Sequence, residues 1–366
     1  MVDINLLFPW KGVYSLIFSG VVLHCSLQIQ SERTISAIYH LLSGKKSIQT
    51  VQDAHIYRLE QFYGVYKSLT KESFDKKVKD LTDRKLLLEL TGRDNVYIPT
   101  AAAKVWLDNK KKSLPFHYFN GLQYASVAIV FFDRLLLLIQ TITNSQKGHF
   151  SFIPVVDKTS IENWVKVVYK KSKGFKQKFL ADIYRELHQL LQCFSNQEAS
   201  IFVDRLTGYK NYGMSLEQLA AEYRMTVHDI HLILSGLLQT MVTNIHKERD
   251  NFPLFSYIIK DLSGVIPITN SAYATSKLLN KAYTIDQIAR IRQLKENTIY
   301  DHIVEIALYD PSFPVNGFIT EKKQREIIEA VKITKSYKLK NIKEYLTEDI
   351  SYFEIRLVLA MENKLK

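Results

Sequence analysis

Lysine and arginine side chains gathered in two stretches of the sequence are its most distinctive candidate functional residues, and the chemistry they indicate is phosphate binding. The first stretch holds Lys71, Lys76, Lys77, Lys79, Arg84, Lys85 and Arg93. The second stretch holds Lys166, Lys170, Lys171, Lys173, Lys176 and Lys178. A solvated helix face is the alternative for both stretches. Because the surrounding sequence is also basic, we predict that these residues bind nucleic acid.

The charge of the chain points to a polyanionic partner. Its 366 residues carry a net charge of +12, with a pI near 9.3, which favours nucleic acid or an anionic membrane surface. The excess is uneven: residues 1–115 carry +6, residues 116–210 carry +5, residues 211–280 carry −1 and residues 281–366 carry +2. The basic surface therefore belongs mainly to the first half of the chain.

No catalytic motif is convincing. Residues 42–47, LSGKKS, place Gly44-Lys45 before a hydroxyl, but Tyr39 stands where a phosphate loop needs its earlier glycine. We therefore predict a loop between two helices. The sequence contains no CxxC, HExxH or GxSxG, and His228 and His231 stand three residues apart without a carboxylate or cysteine cluster. We expect no catalytic, cofactor-binding or metal-binding residues; an enzyme with an unrecognised site in the middle region is the alternative.

The elements that position these residues are mostly helical, because apolar residues recur every three or four positions. One exception is LLLELTGRDNVYIPT, which predicts a β-hairpin around residues 92–95. Three predicted helices, RTISAIYHLLSG, SIQTVQDAHIYRL and SFDKKVKDLTDRK, precede this hairpin, and a helix at residues 100–109 follows it. The order predicts a winged helix, with Thr70 or Ser73 capping the third helix.

The expected fold is a mainly α, multi-domain helical protein with an N-terminal winged-helix-like domain and a C-terminal helix-turn-helix module. The predicted divisions are a helical extension at 1–31, the winged-helix-like domain at 32–112, a helical middle domain at 113–212, a first helix-turn-helix-like unit at 213–268 and the C-terminal domain at 269–366. Two apolar stretches, GVYSLIFSGVVLHCSLQIQ and YASVAIVFFDRLLLLIQTI, contain polar or charged residues and predict buried helices rather than membrane spans. We expect a cytoplasmic protein.

Two segments have the pattern of a helix-turn-helix. In the first, Leu219 and Ala220 are predicted to pack, Ile230 and Ile233 to seat the second helix, and Thr226 to cap it with Asp229 as an acidic partner. Arg224 stands at the turn, where glycine is often preferred. In the second, Ile288 and Ala289 pack, Ile299 and Ile303 seat the second helix, and Asn297 or Thr298 caps it.

The predicted exposed faces of both units suit DNA poorly. The first offers His228, Asp229 and His231. The second offers Glu296, Asn297, Tyr300, Asp301 and Glu305. Phosphates repel carboxylates, and proteins that read the major groove usually use Arg, Lys, Asn or Gln. We therefore predict structural or protein-contacting roles, with Glu296, Asn297, Tyr300 and Asp301 binding a partner.

The last domain resembles a known module. The segment YTIDQIARIRQLKENTIYDHIVEIA, followed by LKNIKEYLTEDISYFEIRLVLA, is similar to the helix-turn-helix module at the C-terminus of some RecQ-type helicases. Its closing helix, EDISYFEIRLVLA, is expected to be capped by Ser351 with Glu354 and to turn Ile355, Val358 and Leu359 inward. With RTISAIYHLLSGKKSIQTVQDAHIYRL, the chain resembles the YpbB family of Firmicutes from about Phe18 onward.

This resemblance implies a partner. Members of the family accompany a RecQ-type helicase gene, and this sequence has no Walker A lysine or acidic metal-binding box of its own. The resemblance therefore implies a non-catalytic accessory protein that supplies the module in trans to the helicase and binds DNA through its basic first half, in repair or replication. The alternative is a helix-turn-helix transcriptional regulator, which usually binds as a dimer, although the sequence fixes no oligomeric state.

Overall fold

The fold is mainly α-helical, as expected. The computed structural model describes residues 16–172, 174–262, 268–310 and 312–362. Within these ranges it has eighteen α-helices and one two-stranded sheet. The elements before residue 150 are α1 (Leu16–Ile29), α2 (Ser36–Ser43), α3 (Ile48–Ile56), α4 (Lys71–Asp83), β1 (Leu87–Glu89), β2 (Tyr97–Pro99), α5 (Ala101–Lys110) and α6 (Gly121–Gln146). The next are α7 (Thr159–Lys171), α8 (Lys176–Leu191), α9 (Asn196–Val203), α10 (Leu216–Glu222), α11 (Val227–Lys247) and α12 (Pro253–Ile259). The last are α13 (Asn270–Leu279), α14 (Ile285–Arg292), α15 (Glu296–Tyr309), α16 (Glu321–Thr334), α17 (Leu339–Tyr345) and α18 (Tyr352–Glu362).

The chain divides into two compact units. Unit 1 comprises residues 1–23, 64–68 and 104–263, and unit 2 comprises residues 24–63, 69–103 and 264–366. Unit 1 contains helices α6 to α12, and unit 2 contains α2 to α4, the sheet and helices α13 to α18. The predicted five-segment division stays a prediction. Its first 15 residues lie outside the described part of the chain.

The three helices and the hairpin expected for the winged-helix-like domain are present in unit 2, whereas most of its expected closing helix, α5, lies in unit 1. Gly44 follows α2 as its C-cap, with a φ of 67° in the left-handed region, and Ser47 accepts a hydrogen bond from the Thr50 N–H to cap α3. Residues 42–47 therefore belong to a helix end and the loop between two helices, as predicted. Thr70 caps α4 by accepting from the Ser73 N–H at 3.2 Å. Strands β1 and β2 pair antiparallel, with Leu88 opposite Ile98.

Helix α3 packs against the C-terminal helices of the same unit. It contacts α15 and α18, and the Gln52 side-chain amide donates to the Arg356 carbonyl at 2.8 Å. The Glu32 carboxylate accepts from the Tyr337 N–H at 2.8 Å and from the Tyr57 hydroxyl at 2.9 Å. Residues about 300 positions apart in sequence therefore share one core. Apolar periodicity predicts each helix but not this pairing.

Helix α6 is the central helix of unit 1. By length and composition it could cross a membrane, but here it packs against α7, α11 and α12. Arg134, at its middle, is buried and donates to both carboxylate oxygens of Asp261 at 2.7 Å and to the Ile258 carbonyl at 2.6 Å. The guanidinium also lies 4.4 Å from the Trp164 ring centroid. The prediction of a buried helix is confirmed for this stretch and for the described part of the other, α1.

Two buried carboxylates cap helices that are remote in sequence. Asp229, on α11, accepts from the N–H groups of Leu16, Ile17 and Phe18 at 2.8, 3.0 and 2.9 Å. Glu186, on α8, accepts from the Leu254 and Phe255 N–H groups at 3.0 and 2.9 Å. Burial raises the pKa of Glu186, and its two backbone hydrogen bonds oppose that shift. The first N–H groups of a helix have no partner within the helix, so these carboxylates satisfy donors that would otherwise be buried unpaired.

The structure corrects the predicted role of Asp229. Thr226 does cap α11, accepting from the Asp229 N–H at 3.1 Å, as expected. However, the Asp229 side chain is buried and faces α1, so the prediction of an exposed acidic residue was wrong. Asp229 is buried because its carboxylate accepts hydrogen bonds from three backbone N–H groups that lie more than 200 residues away in sequence.

Replacing Asp229 tests this remote cap. Asp229→Ala leaves three helix N–H groups without their acceptor, two of them in buried hydrogen bonds. We expect the free energy of unfolding to fall by about 3 kcal/mol, since losing a cap and burying unsatisfied donors each cost on the order of 1–2 kcal/mol. Urea unfolding followed by circular dichroism measures the change.

The matched control is Asp250→Ala, which removes the same charge from an exposed position. It is expected to change stability by less than about 0.5 kcal/mol. Equal stability losses in the two variants would contradict the capping role.

Candidate nucleic-acid interface

Helices α14 and α15 form the helix-turn-helix that the sequence predicts. Ile288 and Ala289 are buried on the first helix, and Ile299 and Ile303 are fully buried on the second. The turn between them is three residues long and begins at Gln293, whose φ of 53° is left-handed. The Gln293 N–H donates to the α14 carbonyls that end the helix. The buried residues expected for this unit are therefore confirmed.

The expected cap of α15 is wrong. The helix begins at Glu296, its N-cap position is Lys295, and no side chain caps it. Asn297 and Thr298, predicted as caps, lie inside the first turn. The closing helix α18 does follow prediction. Glu354 accepts from the Ser351 N–H at 2.7 Å, and Ser351 accepts from the Glu354 N–H at 3.2 Å.

The first helix-turn-helix-like segment, α10 and α11, is built in the same way. Leu219 and Ala220 are buried on α10, and Ile230 and Ile233 are buried on α11. Arg224 has a φ of 53°, so a non-glycine residue occupies the left-handed position of this turn as well. The apolar residues expected to pack in the two helix-turn-helix segments are therefore buried in both.

The predicted partner-binding residues of α15 are not equivalent. Glu296 and Asn297 are exposed. Tyr300 is half-buried, with its ring centroid 4.5 Å from that of Phe353, and Asp301 pairs with Arg356 at 2.5 Å. The structure thus leaves two of the four side chains open to solvent and uses the other two to hold α18.

Glu305, also predicted on the exposed face, is half-buried. Its carboxylate accepts from the Thr269 N–H at 2.5 Å and from the Thr269 hydroxyl at 3.2 Å, at the start of α13. Burial raises the pKa of Glu305, and the hydrogen bonds from Thr269 oppose the shift. The acidic face of this helix is therefore largely satisfied from within unit 2.

The first basic stretch lies mostly on α4, where lysines and carboxylates balance. The helix has four of each, so its formal charge is zero. Lys76 pairs with Glu72, Lys77 with Asp80, and Lys71 with Asp75, all within one turn. Arg84 also reaches Asp80 at 3.4 Å. In the described part of the chain Lys79, Lys85 and Arg93 form no ion pair, and all three are exposed.

The second basic stretch lies at the end of α7 and the start of α8 in unit 1. Residues 163–181 contain six lysines and no carboxylate. Only Lys166 pairs, with Glu162 at 3.3 Å; among described residues, Lys170, Lys171, Lys176 and Lys178 have no carboxylate within ion-pair distance. Lys173 lies outside the described residues. This stretch therefore presents positive charge that its own surroundings leave uncompensated.

Tyrosines, rather than acids, are the neighbours of two of these lysines. The Lys176 amine donates to the Tyr169 hydroxyl at 2.9 Å and lies 4.8 Å from the ring centroid. The Lys171 amine lies 3.4 Å from the Tyr257 hydroxyl and 5.9 Å from that ring centroid. Such contacts position an ammonium group without neutralising its charge. We name Lys170, Lys171, Lys176 and Lys178 the α7–α8 lysines.

The sequence interpretation missed three cations in the C-terminal module. Lys277, Lys281 and Arg292 line a shallow cavity of about 530 Å³, together with Asn280 and two apolar residues of α13. Arg292 is held by the Ser271 carbonyl at 2.7 Å and by the Ser271 hydroxyl at 3.0 Å. The spacing of Lys277 and Lys281 is a signal for one helix face, but only the packing brings Arg292 beside them.

The two histidines singled out in the sequence are internal to unit 1. Tyr66 hydrogen-bonds His228 through its hydroxyl at 2.7 Å and stacks on His231 with ring centroids 4.1 Å apart. Burial, with the charge of His228, lowers the pKa of His231 to about 4. In the described residues no three His, Cys, Asp or Glu side chains are grouped as a metal site would require.

One domain family matches the end of the chain, and a known protein resembles it along most of its length. A helix-turn-helix domain family matches residues 271–359, which cover most of α13, all of α14 to α17 and most of α18. The chain is 28% identical to Protein YpbB of Bacillus subtilis (strain 168) over 346 residues, which cover 94% of this chain and 97% of the relative. No solved structure gives a significant match. The predicted resemblance to the YpbB family is confirmed, and the helix-turn-helix domain indicates DNA binding.

A double-mutant cycle tests whether Asp301 serves the fold. Asp301→Asn and Arg356→Gln each remove one partner of their ion pair, whose side chains are 43% and 20% exposed. We expect a coupling energy of about 0.5–1 kcal/mol, as for other partly exposed pairs. Thermal unfolding of the two single variants and the double variant gives this value.

Glu296→Gln is the control, since Glu296 is exposed on the same helix. Its change in stability should stay within about 0.5 kcal/mol and should be additive with Arg356→Gln. A coupling energy of zero for Asp301 would leave that side chain without the structural role assigned to it.

Proposed function

We propose that this chain, which is similar to Protein YpbB over nearly its whole length, is a non-catalytic nucleic-acid-binding accessory protein of a RecQ-type DNA helicase. It would act in DNA repair or replication, in the cytoplasm. The observation that carries nucleic-acid binding is the run of six lysines without a carboxylate at the α7–α8 junction. Uncompensated lysines supply the electrostatic, sequence-independent part of binding to phosphates.

The α7–α8 lysines are better suited to phosphate binding than the basic residues of α4. Each α4 lysine that pairs with a carboxylate must give up that contact or bring a repelled acid close to the phosphate. The α7–α8 lysines have tyrosine hydroxyls and solvent as neighbours. They can therefore bind phosphate without breaking an ion pair and without bringing a carboxylate close to the phosphate. Lys79, Lys85 and Arg93 extend the proposal to unit 2 as secondary contacts.

Support for a helicase partner comes from the C-terminal module. Its sequence resembles a module that RecQ-type helicases carry beside their motor, and this chain has no motor motif. Glu296 and Asn297 are exposed at the start of α15, where an acidic and an amide side chain suit a protein surface better than a phosphate backbone. We therefore propose that these two residues contact the helicase.

Salt dependence of DNA binding tests the α7–α8 lysines. For duplex DNA, the logarithm of affinity should fall linearly with the logarithm of salt concentration, with a slope of roughly −0.9 per phosphate contact. The double variant Lys170→Gln/Lys178→Gln should flatten that slope by about 2 if each lysine contacts one phosphate. Fluorescence anisotropy with a labelled duplex at several salt concentrations measures it.

The matched control, Lys71→Gln/Lys76→Gln, removes the same charge from lysines paired on α4 and should flatten the slope less. An unchanged slope in the Lys170→Gln/Lys178→Gln variant would contradict the proposed interface. Equal affinity for duplexes of unrelated sequence is expected, whereas a strong preference for one sequence would favour the alternative, a transcriptional regulator.

Retention on a helicase tests the partner. The full chain is expected to bind the immobilised RecQ-type helicase from the same organism at low and moderate salt. Glu296→Lys/Asn297→Ala should weaken this binding by about tenfold, which corresponds to ~1.4 kcal/mol. Surface plasmon resonance gives the dissociation constants.

Glu329→Lys/Asn341→Ala serves as the control. Glu329 is exposed, and Asn341 donates to Ser336 within unit 2, so the change in charge and side-chain type is matched away from α15. No retention of the unmodified chain at any salt concentration would remove the helicase from the proposal.

A further inference from the structure

Exposed aromatic rings accompany the α7–α8 lysines. Phe175 lies in the turn that joins the two helices and is 50% exposed, and Tyr184 on α8 is 70% exposed. Tyr257, next to the Lys171 amine, is 40% exposed. A single exposed ring needs no explanation, but three of them in or next to the segment of uncompensated lysines combine aromatic faces with positive charge.

Phe175, Lys176, Lys178 and Tyr184 lie within ten residues of one another, in α8 or just before its start. Gln177, Ala181 and Tyr184 follow the spacing of one exposed face of α8, and Phe175 is the exposed residue that immediately precedes the helix. At 1.5 Å per residue, Tyr184 lies about 13 Å along the helix from Phe175. His188 stacks on Tyr184 at a centroid distance of 5.7 Å, which positions the ring.

Duplex DNA can stack a base on such a ring only after two of its own bases have been unstacked, which costs free energy. Its bases are stacked inside the helix, and its surface presents phosphates and groove edges. A single strand exposes the faces of its bases, and proteins that bind single strands combine a cationic track with aromatic side chains on which successive bases stack. Lysines alone fit either form of DNA, whereas lysines with exposed rings fit the single strand.

We propose that the surface formed by the α7–α8 lysines with Phe175, Tyr184 and Tyr257 binds single-stranded DNA in preference to duplex. The lysines contact phosphates, and bases stack on Phe175 and Tyr184, with Tyr257 holding the Lys171 amine in place. The inference rests on the proposed nucleic-acid binding and adds the form of DNA that this surface takes. It predicts little dependence on base sequence, because every base has a face to stack.

The test compares a labelled oligo(dT) of 20 nucleotides with a hairpin duplex of the same total length, using the full chain. Phe175→Ala/Tyr184→Ala should weaken oligo(dT) binding by about tenfold or more and leave the affinity for the hairpin unchanged, since stacking on one ring contributes roughly a tenfold gain or more. Lys170→Gln/Lys178→Gln should weaken both. Tyr184→Phe keeps the ring and should keep the affinity for oligo(dT).

Each other outcome has a defined meaning. If Phe175→Ala/Tyr184→Ala lowers the affinity for neither oligo(dT) nor the hairpin, or lowers both affinities equally, the single-strand preference is wrong. The proposed nucleic-acid binding still stands in that case. If the unmodified chain binds neither ligand, the proposed binding itself is wrong. Binding to vesicles of equal parts phosphatidylserine and phosphatidylcholine, without binding to oligo(dT), would assign this surface to a membrane instead and overturn the inference. Because the substituted side chains are exposed, unchanged thermal unfolding is expected and is checked for every variant.

Discussion

The need to satisfy the first N–H groups of helices is the constraint on which much of this structure depends. Asp229 supplies the acceptors for α1, Glu186 for α12 and Glu305 for the Thr269 N–H at the start of α13. Each carboxylate lies on another helix, so each hydrogen bond fixes a tertiary contact as well as a helix end. A negative charge at a helix N-terminus also meets the positive end of the helix dipole. The carboxylate oxygens of these acids are therefore committed to contacts within the protein.

Local signals explain which features were predictable from the sequence. The caps Thr70, Thr226 and Ser351 act within three residues, and the apolar periodicity of the two helix-turn-helix units needs no distant partner. The hairpin follows equally from its own turn residues. Remote caps follow no such rule, since nothing near Asp229 distinguishes it from an exposed acid. The contact of α3 with α15 and α18 is likewise set by shape and burial over some 300 residues.

The candidate interface was predictable only in outline. Composition locates the positive charge in the first half of the chain, and both lysine stretches are visible in the sequence. The sequence alone does not show which of the two stretches has uncompensated charge, because that depends on the groups next to each amine. These groups are carboxylates on α4, and tyrosines for Lys171 and Lys176. The i to i+4 carboxylates of α4 were in fact readable from the sequence, because that spacing places opposite charges side by side on a helix. The tyrosine contact from α12 was not, since it joins segments 86 residues apart.

In the helix-turn-helix segments, the buried residues determine the shape and the exposed residues determine what is bound. Burying Ile288, Ala289, Ile299 and Ile303 requires only apolar residues at the right spacing, and that requirement is met whether the second helix enters a DNA groove or contacts a protein. What a unit binds depends on the few side chains left in solvent. On α15, internal contacts take up Tyr300, Asp301 and Glu305, which leaves Glu296 and Asn297 at its start. A surface this small and weakly charged gives little free energy of binding to phosphate, which is why the proposed DNA binding is assigned to cations elsewhere on the chain.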